Sequence, residues 1–431
     1  MCDVSKTMIY KPLSAQFEIT EKCTHKCRHC YNFYEHNFKG KSTNEKVIDK
    51  VAEQELFDIT LTGGDPLFNK PMLYNAIEKF KGENMDVRIN SNLHLLTEND
   101  ADKIVGYGVD SVLSSILGNN AKLHDYLTGV NGSFDVLKSS LEKFSKRDYN
   151  VAMNMVVNQN NKNEVYDTAK YLIENFKVNY FCATPVVASP LKGTEDMTLT
   201  REEYVRTLDT LLKIENDFGI KTDTLNPAIP CMFPDETREN YRRFFENRSC
   251  AAAKGTVTFS VEGDVRVCSQ ESKSYGNIFE NSLEKILETM SGWREGNHIP
   301  EECSPCDYLT QCRGGCRVSA EAHTGKLNGL EPYFTEPIKN RVKTIHKKEK
   351  IVFDNLISVK GSPRLRNEDK GLTTIYFNAK SKSIVTNTEK EIFTRFLQGK
   401  SYSEVLNEVK NKPLLDEICS KLHSDKILFQ K

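Results

Sequence analysis

Gln16-Phe17-Glu18-Ile19-Thr20-Glu21-Lys22-Cys23-Thr24-His25-Lys26-Cys27-Arg28-His29-Cys30 is the stretch that decides the fold. A strand-like run, 16–20, leads directly into three cysteines spaced CxxxCxxC. Three thiolates on one short loop hold three corners of a 4Fe-4S cube and leave the fourth iron without a protein ligand. A structural site uses four ligands and closes the metal off. The missing fourth cysteine therefore points to chemistry at an open iron. The same spacing also suits a zinc site or three unrelated thiols. A second strand-like run, Asp58-Ile59-Thr60-Leu61-Thr62, ends in Gly63-Gly64-Asp65-Pro66.

The bulk properties limit the alternatives. At 431 residues the chain is long enough for two or three domains. It carries 59 basic and 60 acidic residues, so no basic excess argues for a nucleic-acid partner. No apolar run is long enough to span a bilayer, and the polar start Met1-Cys2-Asp3-Val4-Ser5-Lys6 is no secretory signal. A cytoplasmic location is expected. Thirteen cysteines without an export signal argue for metal binding over disulfides. Cys2, Cys182 and Cys419 look incidental.

From residue 15 to about 190, β-like runs alternate with amphipathic helical segments. Strands are expected at 16–20, 57–62, 86–91, 111–117, 151–157 and 179–187. The last two are nearly continuous apolar runs, as in buried parallel strands. Phe134, Leu137, Leu141 and Phe144 share one helical face, with Ser133 as the expected N-cap. Six βα units predict an open, partial parallel barrel, an α/β fold with active groups at the C-terminal strand ends. A further helix is expected at about 200–217. Residues 226–335 lose the alternation and are rich in turns and cysteines, 336–351 read as a charged linker, and 352–431 read as strand, hairpin and three short helices.

The triad and the Gly-Gly-Asp-Pro turn together resemble the radical S-adenosylmethionine (SAM) superfamily, over roughly residues 15–190. The resemblance implies that Cys23, Cys27 and Cys30 bind a 4Fe-4S cluster whose open iron chelates SAM. One electron then breaks SAM to a 5′-deoxyadenosyl radical that abstracts a substrate hydrogen. His29 fills the aromatic position before the last cysteine. Gly63 and Gly64 would let the backbone approach SAM, Pro66 would stiffen the turn, and the backbone around Asp65 would meet the SAM amino group. Ser91 and Asn92 align with a ribose motif, although Leu93 replaces its glycine, and Ser115 aligns with an SxDG-like serine. All three are equally readable as ordinary strand-end polar residues. His124-Asp125-Tyr126-Leu127-Thr128-Gly129 resembles an HDxxRG segment, with Thr128 where an arginine would pair with the SAM carboxylate.

The second cysteine field reads Cys250-x12-Gly263-x4-Cys268, then Cys303-x2-Cys306-x5-Cys312-x3-Cys316. Gly276-Asn277-Ile278 lies between the halves. The pattern resembles the SPASM domain, a C-terminal extension carrying one or two auxiliary 4Fe-4S clusters. A zinc ribbon closed by Cys303, Cys306, Cys312 and Cys316 is the alternative. By the family pattern Cys250, Cys268 and Cys316 serve a nearer cluster, and Cys303, Cys306 and Cys312 a farther one. The family's seventh cysteine is absent, because Glu331-Pro332-Tyr333-Phe334 stands there. Cys231 is the spare thiol, expected either at the nearer cluster or as a plain buried thiol.

SPASM enzymes often act on peptides, so the expected activity is a crosslink or epimerisation in a ribosomally made peptide. The expected partners are that peptide, with a leader segment, and an electron donor such as flavodoxin or ferredoxin, with no nucleic acid and no membrane. An anaerobic sulfatase maturase forming formylglycine is the second reading, although Cys268-Ser269-Gln270-Glu271-Ser272 lacks its usual aspartate. Glu271 is expected to be a solvated loop carboxylate, with a base as the alternative. An iron–sulfur electron carrier or scaffold is the third. Residues 352–431 resemble a small winged-helix domain that binds leader peptides, or one used for packing and dimer contacts. No catalytic acid or base is named by the sequence.

Overall fold

The computed structural model describes residues 11–33, 39–188, 193–246, 249–339, 353–358, 362–368, 371–378 and 381–430. Most of the expected linker lies outside them. Two compact units emerge, one running through Pro12–Arg341 and the other through Val342–Lys431.

The first unit begins as the alternating pattern predicts. Strands β1 (Ser14–Thr20), β2 (Asp58–Gly63), β3 (Asp86–Asn90), β4 (Ser111–Ser115), β5 (Ala152–Val157) and β6 (Tyr180–Pro185) follow one another across a parallel sheet. Helices α1 (Glu45–Ala52), α2 (Lys70–Gly82), α3 (Glu98–Gly106), α4 (Ala121–Thr128), α5 (Ser133–Ser145), α6 (Val165–Phe176) and α7 (Arg201–Phe218) connect and extend it. The helices bury one stripe each. On α2 the stripe is Leu73, Ala76, Ile77 and Phe80, the spacing of one helical face. Phe80 meets Phe17 of β1 edge-on, with ring centroids 6.1 Å apart. Both rings are fully buried, and removing either costs about 3–5 kcal/mol.

The sheet is wider than six strands. β7 (Lys221–Asp223) extends it beyond β6, while β8 (Thr256–Phe259) and β9 (Val265–Arg266) extend it beyond β1. The order is β7-β6-β5-β4-β3-β2-β1-β8-β9, and only the β8–β9 pair is antiparallel. Phe17 pairs with Leu61 on one side and Phe259 on the other. The first strand of the cysteine-rich segment is thus hydrogen-bonded to the strand that carries the triad.

One helix start differs from expectation. Ser133 is the first residue of α5, not its cap. Gly132 precedes it in a left-handed conformation, and the Asp125 carboxylate accepts from Gly132 N, Phe134 N and Ser133 Oγ. A carboxylate at a helix start is also favoured by the helix dipole.

Beyond β9, short helices α8 (Leu283–Thr289), α9 (Ser291–Glu295), α10 (Leu309–Cys312) and α11 (Arg317–Thr324) frame the remaining cysteines. The second unit contains β10 (Leu356–Ser358), β11 (Arg364–Glu368), β12 (Leu372–Asn378) and β13 (Ser381–Thr386). Helices α12 (Asn387–Leu397), α13 (Tyr402–Val409) and α14 (Lys412–Ser424) and strand β14 (Leu428–Gln430) complete it. β11, β12 and β13 form an antiparallel sheet, and β10 pairs with β14. Capping boxes at Thr386/Glu389 and Ser401/Glu404 start α12 and α13. The unit has its own apolar core, including Ile392, Phe393 and Phe396 and the Leu415/Ile418/Leu422 stripe. Among the described residues no helix is long and apolar enough to cross a membrane.

Candidate functional site

The C-terminal ends of β1, β2, β3 and β4 are neighbours, and the first candidate site is built on them. The chain leaves β1 after Thr20, makes the cysteine excursion and returns beside the strand it left. Glu21 N donates to Lys41 O at 2.9 Å, Thr43 N to Ile19 O at 2.9 Å, and Thr20 Oγ1 lies 2.7 Å from Ser42 Oγ. The loop is pinned a second time at the end of α4, where Lys26 N donates to Thr128 O and Arg28 N to Leu127 O.

Cys23 is buried, and Cys27 and Cys30 are half-buried. Burial, then the charge of Asp65, pushes the Cys23 thiol up to about 12. Burial, then the neighbouring Cys30 and Cys23, holds Cys27 well above its ordinary value. Two donors oppose this at Cys23: His25 N at 3.4 Å and Asn92 Nδ2 at 3.5 Å. Clustered thiols that stay protonated unless a cation joins them suit a metal cluster, whose binding releases those protons.

The glycines of the β2 turn have a structural reason of their own. Gly64 N donates to Thr20 O at 2.7 Å, and Asp65 N donates to Lys22 O at 2.8 Å. A Cβ on Gly64 would lie 2.3 Å from Lys22 O, and one on Gly63 (φ +130°) 2.2 Å from Thr20 O. The approach that demands glycine is therefore to the backbone entering the triad. Gly64→Ala forces that backbone away, so apo protein should melt several degrees lower and reconstitute less iron. An unchanged melt would contradict the contact.

Asp65 is 1% exposed and ties two strand ends together. Its carboxylate accepts from Leu67 N at 2.9 Å, Ser91 Oγ at 2.9 Å and Asn92 N at 2.7 Å. Burial still raises it to about 6, against those hydrogen bonds. Pro66 opens the short 3₁₀ turn that Asp65 caps. Ser91 thus serves Asp65, while the Asn92 amide reaches Cys23 and Thr24. Ser115 ends β4 on the exposed surface, apart from this network. Asp65→Ala orphans two buried donors, Leu67 N and Ser91 Oγ, and the half-buried Asn92 N, and we expect a loss of about 3 kcal/mol in chemical denaturation of the apo protein.

Sequence reasoning missed a histidine group beside the triad. His25 Nε2 lies 3.4 Å from His94 Nδ1, with the rings edge-on. His124 Nδ1 accepts from Leu117 N at 3.2 Å, which leaves the proton on Nε2. Burial lowers His25 to about 3 and His124 to about 4, so both are neutral at physiological pH. Only His25 lies within the cysteine motif, and nothing in the sequence joins it to the other two.

The downstream cysteines divide into two groups. Burial, then Cys250, pushes the Cys268 thiol up to about 12, and burial, then Cys250 with Cys268 behind it, pushes Cys316 up to about 12. The second group lines one small pocket, where Cys303, Cys306 and Cys312 are joined by Cys231 and by Phe334. Cys231 thus stands with the farther set, not at the nearer cluster, which was one of the two places the sequence allowed for it. Gly314 (φ +81°) and Gly315 (φ +82°) turn the chain so that Cys312 and Cys316 serve different groups. That division does not suit a zinc ribbon closed by Cys316.

Among the described residues no three His, Cys, Asp or Glu side chains converge closely enough for one metal ion. A cubane takes its ligands on separate irons and needs thiols set wider apart. All twelve described cysteines are free of disulfides. Glu271 is buried rather than solvated, and its Oε1 accepts from Lys273 N at 3.0 Å, capping its own turn.

Comparison with known proteins agrees with this layout. Residues 17–172 match the radical SAM superfamily, and 250–312 match the SPASM iron–sulfur cluster-binding domain. An AdoMet-dependent heme synthase of Methanosarcina barkeri is 26% identical, over 76% of this chain and 97% of that protein. The antilisterial bacteriocin subtilosin biosynthesis protein AlbA of Bacillus subtilis is also 26% identical, over 71% of this chain and 67% of its own. In fold, the chain resembles Streptococcus suis SuiB bound to precursor peptide SuiA, with a TM-score of 0.62 and 16% identity over 76% of each chain. The cysteine loop on β1, the glycine turn on β2 and the two downstream thiol groups make this chain a radical SAM enzyme that carries a SPASM iron–sulfur domain.

Proposed function

We propose that this enzyme modifies a ribosomally made peptide. In this reading Cys23, Cys27 and Cys30 hold a 4Fe-4S cluster with SAM at its open iron, and the downstream cysteines hold auxiliary clusters. When bound and reduced by a flavodoxin or ferredoxin, that group supplies hydrogen-atom abstraction from carbon. The protein's part is positional. Asp65 locks the β2 and β3 ends together through Ser91 and Asn92 N, and the Asn92 amide steadies Cys23. The buried neutral histidines add no competing charge beside the triad. A crosslink removes two hydrogens from the peptide, and auxiliary clusters offer an acceptor for the second electron.

The observation that carries the peptide reading is the second unit. It is an antiparallel β11-β12-β13 sheet followed by three helices, with β13 at the sheet edge. An edge strand is a ready partner for an extended leader peptide. The similarity to a bacteriocin biosynthesis protein and to a fold bound to a precursor peptide supports the same reading.

A heme-synthase-like activity is the second reading, favoured by a relative matched along 97% of its length. About a quarter of this chain has no counterpart in that alignment, which weighs against it. Anaerobic turnover with SAM, a reductant and short peptides encoded beside the gene tests the proposal. A peptide that loses hydrogens, with matching 5′-deoxyadenosine, supports it. Heme formation from a porphyrin precursor, with every peptide unchanged, refutes it.

A further inference from the structure

We infer that Cys231 is the fourth ligand of the farther metal site, replacing the cysteine absent near Phe334. This rests on the reading that the downstream cysteines bind clusters. Cys231, Cys303, Cys306 and Cys312 line the same cavity, and Phe334 lines it too. Cys250, Cys268 and Cys316 are not part of its lining.

The Cys231 turn is built rather than incidental. Pro230–Met232 form a short 3₁₀ turn, with Pro230 fixing its first φ. Arg238 is buried and clamps both ends, its Nε donating to Pro230 O and Nη2 to Phe233 O, each at 3.0 Å. Phe233 stacks on Tyr241 at 4.5 Å. The Thr335 hydroxyl donates to Cys231 O and joins the turn to the residue beside Phe334. A Cβ on Gly315 would lie 2.7 Å from Ile229 Cγ2, so glycine there lets this turn pack against the Cys312–Cys316 loop. A thiol from outside the motif thus closes the set, and the farther site becomes a closed four-thiolate site of the structural kind. It has no iron left for substrate, which suits electron transfer.

The test compares anaerobically reconstituted wild type, Cys231→Ala, Cys303→Ala and Cys182→Ala, with Cys231→Ala/Phe334→Cys as rescue. The readouts are iron and sulfide content and low-temperature EPR of reduced and mildly oxidised samples. Wild type should hold about twelve irons, four per cubane. Cys231→Ala should lose at least one iron and give a three-iron EPR signal on oxidation, as Cys303→Ala does. Cys182→Ala, a buried thiol remote from the motifs, should match wild type, and Phe334→Cys should restore the iron. Cys231→Ala with full iron and wild-type spectra, while Cys303→Ala loses iron, overturns the assignment. Zinc in wild type, lost from both variants, keeps Cys231 as a ligand and refutes the cluster reading alone. Wild type that takes up no metal refutes both.

Discussion

Replacing Cys23, Cys27 and Cys30 together by alanine abolishes reductive SAM cleavage and removes about four irons per chain, while the downstream groups stay loaded. The drop in 5′-deoxyadenosine formation should be at least on the order of a thousandfold, about 4 kcal/mol in barrier terms. The fold should survive. The triad sits on an excursion whose base is closed by Thr20–Ser42 and Glu21–Lys41 contacts, none of which uses a thiol. The buried core of β1, Phe17 and Ile19, is untouched. A variant that kept its cleavage rate would place the reactive cluster elsewhere, and loss of about twelve irons would mean the fold had failed. Anaerobic iron assay and product chromatography on the same samples separate these results.

Removing residues 342–431 should separate peptide capture from chemistry. The unit has its own core, so its loss leaves the β1–β9 sheet complete. Cleavage of SAM without peptide should be unchanged. The KM for a full-length precursor should rise on the order of ten- to a hundredfold, about 1.4 to 2.8 kcal/mol of lost binding. A core peptide lacking its leader should be handled equally by both proteins. If the truncated enzyme modified the full precursor with an unaltered KM, the second unit would not be its leader site.

Much of this was legible in the sequence, for identifiable reasons. The strands β1 to β6 were readable because β-like runs alternate with amphipathic helical segments, and β5 and β6 are in addition nearly continuous apolar runs. The triad and the Gly-Gly-Asp-Pro turn were readable because their chemistry is local in sequence. β7 was missed because Lys221-Thr222-Asp223 is short and polar, and β8 because it lies beyond the point where alternation stops. The pairing of β8 with β1 is a contact between segments more than two hundred residues apart, which no local pattern encodes. The same limit explains Cys231. Spacing identifies candidate ligands, but only the fold brings residue 231 against 303, 306 and 312. Ser133 misled for a different reason: a serine at a helix start looks like a cap unless a distant carboxylate, here Asp125, already fills that role. The roles expected for Gly63 and Gly64 toward SAM rested on resemblance, and the structure adds a packing contact with Thr20–Lys22 that resemblance did not suggest.

The measurement that tests the central claim most directly is mass spectrometry of peptides co-expressed from the gene's immediate surroundings, anaerobically, with and without the enzyme. The account predicts one peptide that loses two hydrogens, or that keeps its mass in ordinary water but gains a single deuterium at an α-carbon in deuterated solvent, only when the triad is intact. Enzyme-dependent heme formation with no peptide altered, although SAM is cleaved, would contradict it.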